Sequence, residues 1–217
     1  MSNNKVTYFP LMGRAEFIRA MFYHKGVDFE SETIAVDEWP AAKPDTARFP
    51  LGSMPVVTLD GMPLYQSKAA ARAVAIKFGY YSTDVDTIWA IDSILDFNQE
   101  CNDKAKAPGL TGGLDTDEKK KAWLDGYKAR GDLLEARLAG HGKKFIAGTD
   151  TITLADFSVA GCGYFADLYN DQSMWPADVK ADLQKIIDGQ PNLKRYLEVT
   201  LKTELAGYLE KRTLYPF

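Results

Sequence analysis

Apolar and polar residues repeat with both the strand period and the helix period up to about residue 80, and with the helix period alone from about residue 84 onward. The segment Val6–Phe9 is predicted to be a strand. Arg14–Lys25 has apolar residues at helical spacing and precedes Gly26, a residue type that commonly ends a helix. Phe29–Ile34 alternates apolar and polar residues, which indicates a half-buried strand. The chain is therefore expected to open with a strand, a helix and a second strand.

A hairpin and another helix complete this first part. Pro55–Leu59 and Met62–Tyr65 are predicted strands, joined by a tight turn at Asp60-Gly61. Ser67 is predicted to cap a helix that runs to about residue 78. The order β-α-β, a variable segment and then β-β-α is typical of an α/β thioredoxin-like domain with a mixed four-stranded sheet.

From about residue 84 onward the spacing predicts helices only. Thr153 through Asp156 forms a capping-box pattern that opens an apolar helix reaching about Tyr169, and we interpret this pair as purely structural. The polar segment Tyr81–Asp84 is the predicted linker. We therefore expect a first domain over residues 1–80 and an all-helical domain over residues 84–217. The other predicted helices cover Thr87–Ala105, Lys119–Leu138, Val179–Ile187 and Asn192–Val199.

Composition and charge argue against several classes of function. The 217 residues are 46% hydrophobic and 26% charged, which is ordinary for a soluble globular protein. A net charge of −4 argues against nucleic-acid binding, which usually needs a basic face. The sequence has neither a signal-peptide pattern nor an apolar run that would span a membrane, and its two cysteines form no CxxC pair. We therefore expect a cytoplasmic location without membrane or nucleic-acid partners.

Several common site chemistries lack their motifs. The sequence contains no glycine-rich phosphate loop of the Walker or dinucleotide type. His24 and His141 are far apart, so neither an HExxH motif nor zinc-ligand spacing exists, and we expect no metal. No Ser-His-Asp set is indicated either.

The most informative residue is Tyr8, which lies where the first strand should end and the first helix should begin. A thiol titrates near about 8.5, so little of it is thiolate at neutral pH. A phenol that donates a hydrogen bond to the thiolate, beside the positive end of a helix, lowers that pKa. The segment by itself favours a tyrosine that packs in a core, since Tyr is common at half-buried strand positions.

Arg14 lies in the first turn of the predicted helix, where a cation opposes the helix dipole and needs a local reason. A surface arginine that pairs with Glu16 or Asp28 would be one such reason, since exposed ion pairs are common and weak.

Two later segments have the chemistry to hold a small acidic peptide. Pro55 stands at a strand start, the position within a sheet that tolerates a residue without an N–H donor, and an ordinary strand start is the alternative explanation. At Ser67 the unpaired N–H groups of a helix N-terminus offer a carboxylate site, and the Gln66 amide can both donate and accept. Plain helix capping is the alternative there. Together with Tyr8, these segments suggest glutathione.

These motifs, in this order and spacing, resemble the cytosolic glutathione S-transferases over essentially the whole chain. Within that family the sigma class is the best match, with mu and the other tyrosine-type classes close behind. The motifs that support the resemblance are Tyr8 through Glu16, Trp39 with Lys43, Ser53-Met54-Pro55, Gln66-Ser67 and Thr153 through Asp156.

The resemblance implies a homodimeric detoxifying transferase that adds glutathione, its co-substrate, to small hydrophobic electrophiles. Tyr8 and Arg14 would be catalytic, and the proline of Met54-Pro55 would be cis, turning the Met54 backbone toward the peptide. The indole of Trp39 and the ammonium of Lys43 would reach the glycyl carboxylate, although Trp39 packing on Pro40 is the alternative. The implied glutathione-binding residues are Tyr8, Trp39, Lys43, Ser53, Met54, Pro55, Gln66, Ser67 and Asp96.

By the same resemblance, Asp96 would reach the ligand's amino group across a dimer, with Asp92 one turn earlier on the same face. A solvated helix face is the alternative, and these two carboxylates alone do not make a metal site. Small buried core residues are the alternative for both cysteines. The implied electrophile pocket comprises Phe9, Met12, Asn98, Cys101, Ser158, Cys162 and Phe217.

The sequence departs from the family pattern at three places. Ser53 stands where relatives often have Lys or Gln, and Ala73 follows Arg72 where Arg-Tyr is common. The region of Cys101 contains no tryptophan of the kind found in sigma-class prostaglandin isomerases. The alternatives to conjugation are a glutathione-dependent isomerase or peroxidase, a non-catalytic crystallin-like protein or ligand carrier, and a structural thioredoxin-like adaptor.

Overall fold

The computed structural model describes residues 3–112, 114–161 and 175–215, with the backbone alone over residues 102–112. The predicted order β-α-β then β-β-α is confirmed, and a short helix adds to it within the variable segment. The elements of this first part are β1 (Lys5–Tyr8), a 3-10 turn (Gly13–Ala15), α1 (Glu16–Lys25), β2 (Glu30–Thr33), α2 (Trp39–Ala42), β3 (Val56–Leu59), β4 (Met62–Leu64) and α3 (Ser67–Phe78).

The four strands form one mixed sheet in the order β2-β1-β3-β4. β1 runs parallel to β2 and antiparallel to β3, and β3 runs antiparallel to β4. Val6 pairs with Ser31 on one side and with Val57 on the other. Val6 and Tyr8 share one face because alternate side chains of a strand do, and both are buried in the same apolar cluster. The fold is thioredoxin-like, and Tyr8 ends an inner strand.

The described part of the chain beyond α3 is helical and contains no strand. The predicted helices are confirmed, α4 and α5 are longer than predicted, and the last helix was not predicted. The predicted end near Tyr169 lies outside the described residues. The elements are α4 (Val85–Gly112), α5 (Asp117–His141), α6 (Leu154–Gly161), α7 (Ala177–Asp188), α8 (Pro191–Arg195), a π-helical turn (Tyr196–Leu201), α9 (Lys202–Glu204) and α10 (Ala206–Lys211).

Three helix starts bear on the sequence predictions. Arg14 lies in the 3-10 turn that immediately precedes α1. The prediction that Ser67 is a cap was wrong by one residue: Gln66 occupies the cap position with φ of 66°, so the chain turns there and Ser67 is already helical. The capping box is confirmed, because the Thr153 backbone N–H and hydroxyl both donate to Asp156 at 2.8 Å.

Helix α1 is enclosed on several sides, since every residue from Glu16 to Phe22 is buried. It packs against α3 beside the sheet and against α6 and α10 of the helical part. Its contact with α6 is so close that a Cβ at Gly161 would lie 2.4 Å from the Phe17 backbone nitrogen. Only glycine allows the two helix backbones to approach to this distance.

A polar link joins the far end of α1 to the helical part. His24 Nδ1 lies 2.6 Å from the Tyr80 hydroxyl, and His24 Nε2 lies 3.7 Å from Glu204. Burial lowers the pKa of His24, and the Glu204 carboxylate opposes this shift without reversing it. Burial raises the pKa of Tyr80 to about 12, so its hydroxyl stays protonated. Burial at this link therefore favours a neutral His24 imidazole.

We predict that Gly161→Ala lowers the free energy of unfolding by about 2 kcal/mol or more, because the added methyl meets backbone atoms that cannot move aside. Urea denaturation at neutral pH measures the change. The matched control is Gly126→Ala on α5, where a Cβ would meet nothing within 4 Å. The control should be neutral or gain up to about 1 kcal/mol. Equal effects of the two substitutions would contradict the close contact.

We predict that stability falls as the pH drops below about 6.5, because the unfolded chain then binds a proton that folded His24 resists. His24→Gln should reduce the slope of unfolding free energy against pH between about 5.5 and 7.5. Urea titrations at several pH values measure that slope. An identical slope in the wild type and the variant would show that His24 is not the group concerned.

Candidate active site around Tyr8

The phenol of Tyr8 lies at the carboxyl end of β1, where the chain leaves the sheet and turns into α1. Its side chain is buried, with 7% of the residue exposed. The hydroxyl oxygen accepts a hydrogen bond from the backbone N–H of Arg14 at 3.4 Å. A tyrosine hydroxyl can accept one bond and still donate its own proton. The Arg14 N–H therefore favours negative charge at the phenol oxygen or at an anion bound to it.

Gly13, which lies between β1 and α1, makes this placement possible. Its φ is +38°, a conformation that favours glycine. A Cβ there would lie 3.0 Å from the Tyr8 hydroxyl oxygen and 3.2 Å from Cε1 of the ring. The bare backbone at this position thus forms one wall against which the phenol rests.

A buried ion pair stands behind the phenol, and sequence reasoning missed it. Arg19 Nη1 donates to Glu16 at 2.8 Å and to the Leu11 carbonyl at 3.0 Å. The Arg19 guanidinium lies over the Tyr8 ring, 5.9 Å from its centroid. The other oxygen of Glu16 accepts from the Tyr208 hydroxyl at 2.6 Å. The spacing of Glu16 and Arg19 by three on an otherwise apolar helix was the available signal.

The contacts of Glu16 also bear on the explanation of Arg14 as a surface arginine that pairs with an acidic residue. Glu16 is bound to Arg19 and Tyr208 in the interior, whereas Arg14 is exposed. Burial and the Glu16 carboxylate both raise the pKa of Tyr208 well above its ordinary value, so that hydroxyl remains a donor. Of the two carboxylates suggested to pair with Arg14 on the surface, that of Glu16 is instead part of the core.

Arg14 belongs to the rim of a cavity of about 330 Å³ beside the start of α3. The lining contains three cationic side chains and two amide side chains, and no acidic one among the described residues. This composition suits an anionic ligand group. The cavity is lined by Arg14, Gln66, Ser67, Lys68, Ala69, Arg72 and Gln99.

The two segments expected to bind peptide lie on either side of β3 and β4. The Met54-Pro55 peptide bond is cis, as the resemblance implied. Pro55 is buried and Met54 is half-buried between two apolar clusters. Gln66 holds a φ of 66°, which is strained for a residue with a side chain, and non-glycine residues in this region concentrate at functional sites. Ser53 is exposed beside the cis bond.

Trp39 packs on aromatic neighbours, in place of the suggested surface packing on Pro40 alone. Its ring lies 5.8 Å from Phe9 and 5.0 Å from Phe49, edge to face in both cases. Phe9 in turn contacts Tyr8 at 5.4 Å, so the indole is connected to the phenol through one ring. Lys43 is exposed and follows the same short helix, near Gly52.

The two aspartates of α4 pair with cations of α3 in the same chain. Asp96 accepts from Lys68 at 2.7 Å, and Asp92 accepts from Arg72 at 2.9 Å. Asp96 is largely exposed, with 58% of its side chain accessible. These pairs hold α3 against α4 next to the cavity, and the expected contact of Asp96 with a ligand across a dimer stays a prediction.

The described residues expected to line an electrophile pocket differ in burial and in their contacts. Asn98 and Ser158 do meet, at 2.8 Å, but both are buried in the helical core, where Asn98 also accepts from Arg130. Met12 is fully buried, whereas Phe9 and Cys101 are half-buried. A role in contacting a second substrate stays a prediction for all of them. Cys162 and Phe217 lie outside the described residues.

Comparison with known proteins decides the family. Residues 4–75 match the glutathione S-transferase N-terminal domain. Over its full length the chain is 30% identical to the probable glutathione S-transferase 7 of Caenorhabditis elegans, with 100% of both chains covered. The chain belongs to the glutathione S-transferase family.

Two further relatives show the range of that family. The chain is 36% identical over 146 residues to the hematopoietic prostaglandin D synthase of Gallus gallus, covering 58% of this chain and 72% of that one. It superimposes with a TM-score of 0.78 and 27% identity on a monomeric glutathione S-transferase of the hookworm Necator americanus, covering 99% and 100% of the chains. The thioredoxin-like sheet followed by helices is thus shared by this chain and the hookworm structure.

The described residues also bear on membrane segments and metal sites. None of the described helices is both long and apolar enough to cross a membrane. Within the same residues, no three side chains of His, Cys, Asp or Glu are grouped so that they could hold a metal ion.

We predict that Gly13→Ala costs more stability than Gly26→Ala. Both positions have positive φ, at 38° and 69°, but only the methyl at position 13 would press on the Tyr8 hydroxyl. The φ penalty alone should be about 1 kcal/mol for each, with about 1 kcal/mol more at Gly13 for the contact. Urea denaturation measures both, and equal losses would contradict the close approach of backbone and phenol.

Proposed function

We propose that this chain is a sigma-like glutathione transferase in which the Tyr8 hydroxyl stabilises the glutathione thiolate for attack on hydrophobic electrophiles. The observation that carries the proposal is the buried Tyr8 hydroxyl at the end of β1, held between the Gly13 backbone and the Arg14 N–H. Membership of the glutathione S-transferase family supports glutathione as the co-substrate.

The chemistry follows from the difference in acidity between a thiol and a phenol. The glutathione thiol is mostly protonated at neutral pH. Phenols ordinarily titrate at about 10, so a phenol is still a hydrogen-bond donor at neutral pH. A hydrogen bond from the phenol stabilises the thiolate over the thiol and lowers the thiol pKa. Fixing the nucleophile beside the electrophile supplies further acceleration, because an encounter in solution becomes a reaction within one complex.

The cavity beside α3 is suited to the γ-glutamyl end of glutathione. Its cationic lining and the first N–H groups of α3 favour the α-carboxylate, and Gln66 can donate to it or accept from the amine. At the other end of the site, the Trp39 ring is connected to Tyr8 through Phe9. The indole of Trp39 and the ammonium of Lys43 are suited to the glycyl carboxylate. The Met54 backbone beside the cis bond is suited to pairing with the peptide between them.

The remaining features of the proposal concern assembly and organisation. Residues 1–80 form the glutathione-binding domain, and residues 84–217 supply the electrophile site. The enzyme is a cytoplasmic homodimer that acts in detoxification, and Asp96 of each subunit contributes to the site of the other. One structurally similar hookworm transferase is described as monomeric, so light scattering at micromolar concentration tests the dimer directly.

A glutathione-dependent isomerase is the second candidate, because one relative is a prostaglandin D synthase at 36% identity over the matched segment. Both functions use the same thiolate and differ in the second substrate. Turnover of an endoperoxide without conjugation of chlorodinitrobenzene would favour the isomerase. The reverse result would favour the transferase. A non-catalytic carrier would give neither activity while binding apolar dyes.

We predict that Tyr8→Phe retains glutathione binding, since the cavity beside α3 and the Trp39 end are untouched. The rate of chlorodinitrobenzene conjugation should fall about 10²-fold or more, because the thiolate loses its hydrogen-bond donor. Isothermal titration with glutathione and steady-state kinetics separate the two effects. Tyr80→Phe is the control, because it removes a phenol hydroxyl that contacts His24 at the far end of α1, and it should keep most of the activity. Unchanged turnover in Tyr8→Phe would refute the role of the phenol.

A further inference from the structure

The guanidinium of Arg19 is buried but incompletely satisfied. Only 2% of the residue is exposed. Nη1 makes both of its hydrogen bonds, to Glu16 and to Leu11, whereas Nε and Nη2 are buried and have no hydrogen-bond partner among the residues that the structure describes. Buried polar groups without partners are uncommon in folded proteins, and each is costly. Arg19 therefore weakens the fold relative to a well-packed apolar residue, and a function would explain its presence.

The position of Arg19 indicates what that function is. Its guanidinium lies between two tyrosine rings, 5.9 Å from the centroid of Tyr8 and 4.9 Å from that of Tyr215. Through Nη1 it also holds the Leu11 carbonyl, in the loop that leads from Tyr8 to Gly13. The charge is thus placed behind the phenol and away from water, where the low dielectric makes it more effective than a surface charge.

The charge of Arg19 is partly opposed by the carboxylate of Glu16. Glu16 pairs with Arg19 at 2.8 Å, but its other oxygen accepts from Tyr208, so its charge is shared with the helical part. The titratable and charged groups around this pair are Tyr8 on β1, Tyr23 on α1, Tyr208 on α10, and Arg212 and Tyr215 after α10.

We infer that Arg19 is a positioning residue for the transferase reaction, which supplies positive potential behind the Tyr8 phenol and so stabilises the thiolate that the phenol binds. This inference rests on the proposed function. Arg14 lies on the exposed rim of the cavity and would act on the ligand directly, whereas Arg19 acts through Tyr8. Glu16 then sets how much of that potential reaches the site.

Two substitutions with opposite charge effects test the inference. Arg19→Met removes the cation with similar volume, and Glu16→Gln removes its counter-charge while keeping a hydrogen-bonding side chain. The readout is the acid limb of kcat/KM for chlorodinitrobenzene at saturating glutathione, which reports the thiol pKa in the enzyme–glutathione complex. Arg48→Met, the same substitution at an exposed arginine, is the control.

The acid limb of the kcat/KM profile should move to higher pH by about 0.5 to 1 unit in Arg19→Met and to lower pH by a similar amount in Glu16→Gln. Arg48→Met should leave it in place. If Arg19 and Glu16 had a purely structural role, both variants would have a lower kcat/KM, and the acid limb of each would stay at the wild-type pH. That result, or shifts in the same direction, would overturn the inference.

The inference can still be tested if the Arg19→Met variant does not fold. If Arg19→Met does not fold, Glu16→Gln decides by itself, since an unmoved or upward limb there contradicts the inference. Wild-type protein that neither binds nor conjugates glutathione would overturn the proposed function, and this inference with it. Wild-type protein that conjugates, with all limbs coincident, would overturn the inference alone.

Discussion

The structure depends on the burial of α1 between the sheet and the helical part. One side of this helix must match the strands that end at Tyr8, and another must match α6 and α10. Gly161 permits the close approach on the α6 side, where a Cβ would overlap the Phe17 backbone. Because α1 is held from both directions, the turn that precedes it has a fixed position, and Gly13 and Arg14 meet the phenol there.

This constraint connects packing with chemistry. A phenol on a mobile loop would lose much of its effect on a bound thiolate, because electrostatic stabilisation requires donors that are already in place. Here the phenol is buried, rests on bare backbone and accepts an N–H bond. The ion pair of Glu16 and Arg19 belongs to the same helix and joins Tyr8 to Tyr208, which follows 200 residues later in sequence.

Local pattern was sufficient for most of the fold. The order of strands and helices along the first part follows from alternating apolar residues with a tight turn at Asp60-Gly61, and the Thr153–Asp156 box was recognisable as a capping motif because its contacts span only three residues. The cap of α3 was displaced by one residue, because the positive φ of Gln66 is not visible in residue type. The pairing of Glu16 with Tyr208 joins residues 192 positions apart, so no local signal could identify it.

The central claim is that the Tyr8 hydroxyl stabilises a glutathione thiolate. Its most direct test is a pH titration of the thiolate absorbance of glutathione bound to the protein, recorded as a difference spectrum against free protein. The account predicts a bound thiol pKa at least about one unit below the value near 8.5 of a free thiol. A bound thiol that titrates like the free one would contradict it.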